Sequence, residues 1–209
     1  TVITAAWTAI NGSLTPYAYS KIKERDFKSM ARTSMICIIG FSAMCLLVCV
    51  IAPEVIMLLG GEKYTESIKL LPPLLAAVVF MEMYNLFSLI EFYNKKTMLV
   101  MVATVAAAVI NVGLNFVCIK MFGYQAAAYT TLFCYILYCL FHYINMRHIE
   151  KEKIYDSKLL VGFSVIYVVL CFACLFIYDY PLIRYGILLF AIIIAIVKRK
   201  SFIKFYKQL

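Results

Sequence analysis

Two acidic residues lie within a long apolar stretch of the chain, residues 68–93. Glu82 is near its middle, about 20 Å along a helix axis from Lys95 at roughly 1.5 Å per residue, and Glu91 is near its end. Ionisable groups within a membrane are costly and therefore mark candidate functional sites. Two interpretations of Glu82 stay open: a coupling site for H⁺ or a cation in a transporter, and a protonated carboxyl that hydrogen-bonds between helices.

The same stretch carries further polar residues on one side. Asn85 and Ser88 fall in the arc between the two glutamates, which gives the predicted helix a broad polar side that should face a cavity. Glu91 precedes Lys95 by four residues, a spacing that predicts a structural or gating pair on the helix surface. Pro72 and Pro73 are expected to free backbone carbonyls one turn earlier.

Polar residues elsewhere extend the candidate cavity. Tyr135, Tyr138 and His142 share a helical face in residues 124–145, and Asn11 and Thr15 lie in residues 2–20. The tyrosines could line a sugar path or anchor the helix at the membrane interface, and both interpretations stay open. His142 has no Cys, His or acid at ligand spacing, so we predict no metal site there.

Stripes of small and amide residues indicate tight helix packing in residues 98–119. Thr104, Asn111 and Asn115 share one face beside a run of alanines, a composition typical of contacts between membrane helices.

These residues must be positioned by membrane helices. The chain is 65% hydrophobic and 15% charged, whereas soluble proteins are about half apolar and about a quarter charged. Apolar runs predict an all-α polytopic membrane protein with about seven transmembrane helices. The predicted spans are residues 2–20, 34–52, 68–93, 98–119, 124–145, 159–178 and 182–197. Between the second and third, Pro53 and Glu54 open a short interfacial helix that Gly60 and Gly61 end.

Positive charge alternates between the loops. Sixteen of the twenty Lys and Arg residues lie in residues 21–32, 95–96, 147–158 and 198–207, and only four lie in the alternate segments. The positive-inside rule places the basic segments in the cytoplasm, including Lys95, Lys96 and the C-terminus. The net charge of +9 is therefore attributed to topology and anionic lipids rather than to nucleic acid.

Enzyme and cofactor signatures are missing from the sequence. The eight cysteines lie in apolar runs, and Cys171 and Cys174 have no His or charged neighbour, so we predict buried thiols and no metal. No Walker, H-E-x-x-H or G-x-S-x-G motif occurs. We therefore expect neither an enzyme nor a bound cofactor. The initial Thr1 and the odd number of spans suggest the C-terminal part of a larger protein, with a truncated first helix.

Four segments carry a family resemblance. IAPEVIMLLGGEKYTES (51–67), EFYNKKTMLV (91–100), AAVINVGLNFVCIKMFGYQAAAYTTLFCY (107–135) and SLTPYAYSKIKERDF (13–27) resemble segments of polysaccharide flippases, in the same order. These are the O-antigen, capsule and teichuronic-type exporters of the MATE-like multidrug/oligosaccharidyl-lipid/polysaccharide superfamily. One departure is the pair Gly60-Gly61 before Glu62, where an aromatic residue and Gly are usual.

The resemblance implies a fourteen-helix transporter with two lobes, of which this chain is helices eight to fourteen. Residues 1–145 would be helices of the C-terminal lobe, and residues 146–209 two terminal helices with a basic tail. Such a protein moves undecaprenyl-pyrophosphate-linked oligosaccharide across the cytoplasmic membrane by alternating access. The partners implied are this lipid-linked glycan, membrane lipids, H⁺ or Na⁺ as a coupling ion, and the missing N-terminal lobe, which would supply the cations for the pyrophosphate.

Two alternative functions come from the same residues. A cation-coupled multidrug exporter of the same fold would need a more lipophilic cavity. A membrane-embedded polysaccharide polymerase or ligase would carry a large outer loop with Arg and His, which this sequence lacks.

Overall fold

The computed structural model describes residues 2–206, apart from the side chains of Val2, Ala195 and residues 198–206. Within this part of the chain every regular element is a helix, which confirms the all-α prediction. The α-helices are α1 Val2–Lys23, α2 Phe27–Val50, α3 Ala52–Gly60, α4 Leu71–Tyr93, α5 Thr97–Phe122, α6 Ala126–Ile149, α7 Ser157–Ile177 and α8 Pro181–Tyr206. A 3₁₀ helix, Glu62–Leu70, connects α3 to α4.

Five helices of the described chain are long and apolar enough to cross a membrane. They are α2, α4 with the 3₁₀ helix before it, α5, α6 and α7. The predicted first and seventh spans coincide with α1 and α8. However, α1 is less apolar, and the described apolar part of α8, Pro181–Ile194, is shorter. The chain is a polytopic helical membrane protein, and five helices of its described part are both long enough and apolar enough to cross a membrane.

Local sequence signals set several helix ends. Asp26 caps α2 by accepting a 3.1 Å hydrogen bond from the backbone N–H of Ser29, which satisfies an otherwise free donor. The predicted interfacial helix is α3, with Pro53 in its first turn. The chain leaves α3 at Gly61, whose φ of 68° favours glycine.

The proline pair 72–73 lies at the start of a helix rather than within one. Pro72 and Pro73 lie in the first turn of α4, which begins at Leu71 rather than at Ile68. Backbone N–H groups in a first turn have no partner within the helix, so proline removes no hydrogen bond there.

Helix α4 is the centre of the bundle. It packs against α1, α2, α5, α6 and α7, and most extensively against α6. It is also the most buried of the five spanning helices, whereas α5 has one buried residue, Ala103. Short loops join α4 to α5 and α5 to α6, so each of these helices runs antiparallel to the next. As a result, α4 and α6 run in the same direction. The boundary predicted at residue 145 lies within α6.

The loops lie alternately at the two ends of the bundle, as expected when successive helices cross a membrane in opposite directions. At the basic end, Arg25 of the α1–α2 loop pairs with Glu152 at 2.6 Å and Glu150 at 3.3 Å, both after α6. At the opposite end, the Tyr124 hydroxyl donates to Glu66 at 3.0 Å. In the fourth predicted basic segment, Lys207 lies outside the described residues and the other side chains are not described.

A second ion pair ties α3 to α8 at the opposite end. One guanidinium nitrogen of Arg184 lies 2.6 and 2.5 Å from the two carboxylate oxygens of Glu54, and Tyr185 donates to the same carboxylate at 3.0 Å. Arg184 is 4% exposed. Burial raises the pKa of the Glu54 carboxyl, but the hydrogen bonds from Arg184 and Tyr185 outweigh it, so the net pKa lies below its ordinary value.

We predict that Glu54→Gln destabilises the protein by leaving the Arg184 guanidinium buried without a counterion. The expected cost is about 1–2 kcal/mol, less than for a fully buried pair because Glu54 reaches solvent. Thermal unfolding in detergent at neutral pH measures it. Glu62→Gln, an exposed carboxylate near the same end, is the control and should leave the melting temperature unchanged.

The Glu54–Arg184 pair should also make the stability of the protein depend on pH. A carboxyl with a lowered folded pKa stabilises the fold above its unfolded pKa of about 4.3, and this is lost as pH falls through the folded value. The melting temperature of wild type should therefore fall more between pH 5 and pH 3 than that of Glu54→Gln. An equal fall in melting temperature for wild type and Glu54→Gln would contradict this role of the Glu54 carboxylate.

Candidate functional site

A buried acid–base pair joins α4 to α6. The Nδ1 atom of His142 lies 2.9 Å from each carboxylate oxygen of Glu91, and both side chains are completely buried. Which of the two side chains donates depends on the tautomer of the imidazole. The pair connects the two helices that pack most extensively in the bundle.

The predicted pair of Glu91 with Lys95 is wrong. Helix α4 ends at Tyr93, and Lys95 takes a left-handed backbone with φ of 57°. The four-residue spacing therefore no longer places both residues on one helix face, and Lys95 is exposed in the loop. Glu91 takes its partner from α6 instead.

Aromatic rings enclose the imidazole. Tyr84 of α4 stacks on it with ring centres 5.2 Å apart, and Tyr138 meets it edge-on at 4.5 Å. Phe141 provides a third contact at 5.6 Å. The other imidazole nitrogen, Nε2, is buried and has no hydrogen-bond partner among the described residues. A buried nitrogen without a hydrogen-bond partner is energetically costly, and Nε2 is available for one further hydrogen bond.

Glu82 lies in the middle of α4 and is 2% exposed. Asn85, one turn later, donates an amide hydrogen to its carboxylate at 2.7 Å. The hydroxyl of Ser88 in turn donates to the Asn85 carbonyl at 3.0 Å. Among the side chains that the structure describes, no cationic group pairs with Glu82, and its hydrogen-bond donor is the neutral amide of Asn85.

A cavity of about 300 Å³, lined by hydroxyl and amide side chains together with apolar ones, lies between α4, α5 and α6. Its lining includes Tyr84, Tyr135, Tyr138 and Thr104, and the hydroxyls of Thr104 and Tyr138 are 2.7 Å apart. Tyr135 is close enough to Glu82 for the two side chains to interact electrostatically. The cavity lining therefore includes neighbours of both buried carboxylates, although neither glutamate lines it.

The structure thus brings together seven of the sequence-predicted site residues on α4 and α6. They are Glu82, Asn85, Ser88, Glu91, Tyr135, Tyr138 and His142. Asn11 and Thr15 are apart from them: they bond to each other along α1 at 3.1 Å, and no described hydrogen bond or ring contact joins them to the cluster. Lys95 and Lys96 are exposed at the basic end.

The predicted packing stripe of α5 makes contacts between helices. Thr104 reaches Tyr138 of α6, and Asn115 accepts a short hydrogen bond from Thr130 of α6 while donating to Asn111 at 3.0 Å. These polar contacts hold α5 against α6, as the small and amide residues predict.

Two features of the site were missed from the sequence. The Glu91–His142 pair joins residues 51 positions apart, and Tyr84 was not singled out. Both Glu91 and His142 lie in the parts of their spans next to a basic segment, so matching their depths in the membrane would have suggested the pair.

No protein-family model, curated protein or solved structure matches this chain.

We predict that His142→Phe destabilises the protein by about 2–5 kcal/mol, because it leaves Glu91 buried without a partner. The double variant Glu91→Leu/His142→Phe should recover much of this loss, since an apolar pair of similar volume often replaces a buried ionic pair without cost. Thermal unfolding of both variants and of Glu91→Leu completes the cycle. If the double variant loses as much stability as the two single variants together, the two side chains are not coupled.

Proposed function

We propose that this chain is part of a membrane transporter that moves lipid-linked oligosaccharide across the cytoplasmic membrane by alternating access. The observation that carries the transport class is the buried ionisable cluster of α4 and α6, inside helices that can span a bilayer. Ionisable residues at such positions usually serve an ion or substrate pathway. The oligosaccharide substrate is supported by the four sequence segments that resemble polysaccharide flippases.

Glu82 is the group proposed to take up the coupling ion. A carboxylate without a cationic partner in the interior of a spanning helix is costly, and binding of H⁺ or Na⁺ would remove that cost. The cavity lined by Tyr135, a neighbour of Glu82, gives the ion a place to arrive. Release of the ion would then favour a conformation that exposes Glu82 to water.

The Glu91–His142 pair is proposed to hold α4 and α6 together during this cycle. Because the pair joins the two most closely packed helices, the lobe would move as one body, rocking against a second lobe of the same protein. That second lobe would supply the cationic side chains for the pyrophosphate group, since the described interior of this chain has none near Glu82.

The orientation proposed for the chain places its basic end and its C-terminus in the cytoplasm. Single cysteines at Lys96 and Lys151 should therefore react with a membrane-impermeant maleimide only after the cells are permeabilised. A cysteine at Lys63, at the opposite end, should react in intact cells. Wild type is the blank, because seven of its eight cysteines are buried and the eighth, Cys118, is half-buried. Labelling of a cysteine at position 96 in intact cells would show that the orientation is opposite to the one proposed.

The function is tested by export complementation. Expressed in cells that lack their own polysaccharide flippase, the full-length protein should restore surface glycan and lower the lipid-linked intermediates of the inner leaflet. Glu82→Gln should reduce export at least about tenfold and remove its dependence on external pH, while Glu66→Gln serves as the matched control. Drug resistance without glycan rescue in several hosts would instead favour the multidrug exporter.

A further inference from the structure

Buried cysteines of two helices lie together where α2 packs against α7. Cys45 and Cys49 are four residues apart on α2, so both are on one face of this helix. Cys171 and Cys174, three residues apart on α7, likewise share a face. The two faces meet, because Cys49 is close enough to the other three cysteines to interact with them. The sequence contains two separate pairs, and the fold combines them into one cluster.

Cys49 is the member of this cluster that reaches across to α7. Its Sγ atom lies 3.8 Å from the carbonyl oxygen of Cys171, and its thiol is within hydrogen-bonding contact of the thiols of Cys171 and Cys174. The Cys174 thiol donates to the carbonyl of Leu170 at 3.4 Å, which is next to the Cys171 carbonyl along the helix. Three thiols therefore face one another between the two helices.

The cluster is suited to thiol oxidation rather than to a metal ion. Among the described residues, no three His, Cys, Asp or Glu side chains are arranged to hold a metal ion. Buried thiols are usually inert, but this cluster is near the end of the bundle opposite to the basic one. Cys49 is the second-last residue of α2, and the hydroxyl of Tyr178, a half-buried residue directly after α7, lies 3.6 Å from its thiol. A small neutral oxidant therefore has a short route to the sulfurs.

We propose that Cys49 and the cysteine pair of α7 form a site for reversible oxidation by hydrogen peroxide. One thiol, as its thiolate, attacks the O–O bond, which breaks and leaves a sulfenic acid and, after proton transfer, water. A second thiol attacks that sulfur, so that an S–S bond forms, the S–O bond breaks and a second water leaves. The two sulfurs together lose two electrons, and the two oxygens of the peroxide gain them.

The disulfide joins α2 to α7 at the end proposed to face away from the cytoplasm. Both helices pack against α4, so the new bond holds them around the central helix. Disulfides persist in oxidising compartments, and a dithiol reductant reverses them by exchange. The inference is independent of the proposed function, because it concerns thiol chemistry and not transport.

Oxidation is tested with the purified full chain in nanodiscs, reduced with dithiothreitol, freed of the reductant and exposed to hydrogen peroxide. The remaining thiols are alkylated, and fragment-ion mass spectrometry locates the disulfide. We expect a bond from Cys49 to Cys171 or Cys174 that dithiothreitol reverses. The melting temperature should rise by about 5 °C or more, because a bond between distant residues restricts the unfolded chain.

Variants show whether the yield of this bond depends on the cluster. Cys49→Ser and Cys171→Ser/Cys174→Ser each remove one side of the bond and should lower its yield at least about tenfold. The matched control is Cys37→Ser, which removes another buried thiol of α2. No thiol contact of Cys37 is found in the described part of the chain, so this change should alter the yield by less than about twofold.

Each of three results would overturn the inference. Recovery of Cys49 as a free thiol from peroxide-treated wild type would show that the site is not oxidised, and this measurement needs no variant to fold. A bond from Cys37 or Cys45 to α7 in place of Cys49 would show that the contacts do not select the reacting thiol. An equal loss of yield in Cys37→Ser would show that peroxide reacts with unfolded protein.

Discussion

The bundle depends on one constraint: a helix that carries two glutamates through a bilayer must be covered by protein along those residues. Water is absent from the hydrocarbon, so each polar group needs a partner within the protein. This accounts for the central place of α4, which five other helices contact. It also accounts for the Glu91–His142 pair, since α6 supplies the base that the carboxylate of α4 requires.

Polar contacts change in character along the membrane normal. Charged pairs occur at the two ends, where Arg25 meets Glu152 and Arg184 meets Glu54. In the interior, neutral groups serve instead, such as the hydroxyls of Thr104 and Tyr138. Charges near water keep part of their hydration, whereas neutral groups cost less in hydrocarbon. Glu82 and the buried Glu91–His142 pair depart from this order. Glu82 has only a neutral amide as its described hydrogen-bond donor, which is why it is the best candidate for binding an ion.

The helices could be predicted from the sequence because their signals are local. A run of about 20 apolar residues and a basic flank define a span, and Pro53 with Gly61 delimits α3. Pairing between helices has no such signal. Glu91 has a suitable lysine four residues away, yet α4 ends before Lys95, and its true partner is 51 residues distant. Likewise, nothing near Glu54 indicates Arg184, 130 positions further along the chain. The site residues were therefore recognisable one by one, but their contacts were not.

The Glu91–His142 pair also has a consequence for the order in which the membrane protein is made. Helix α4 is synthesised before α6, so the carboxylate of Glu91 has no base until the ribosome has added 51 further residues. Helix α5, which inserts in between, covers little of α4. The newly made α4 must therefore stay beside the insertion machinery until the hairpin of α5 and α6 closes over it.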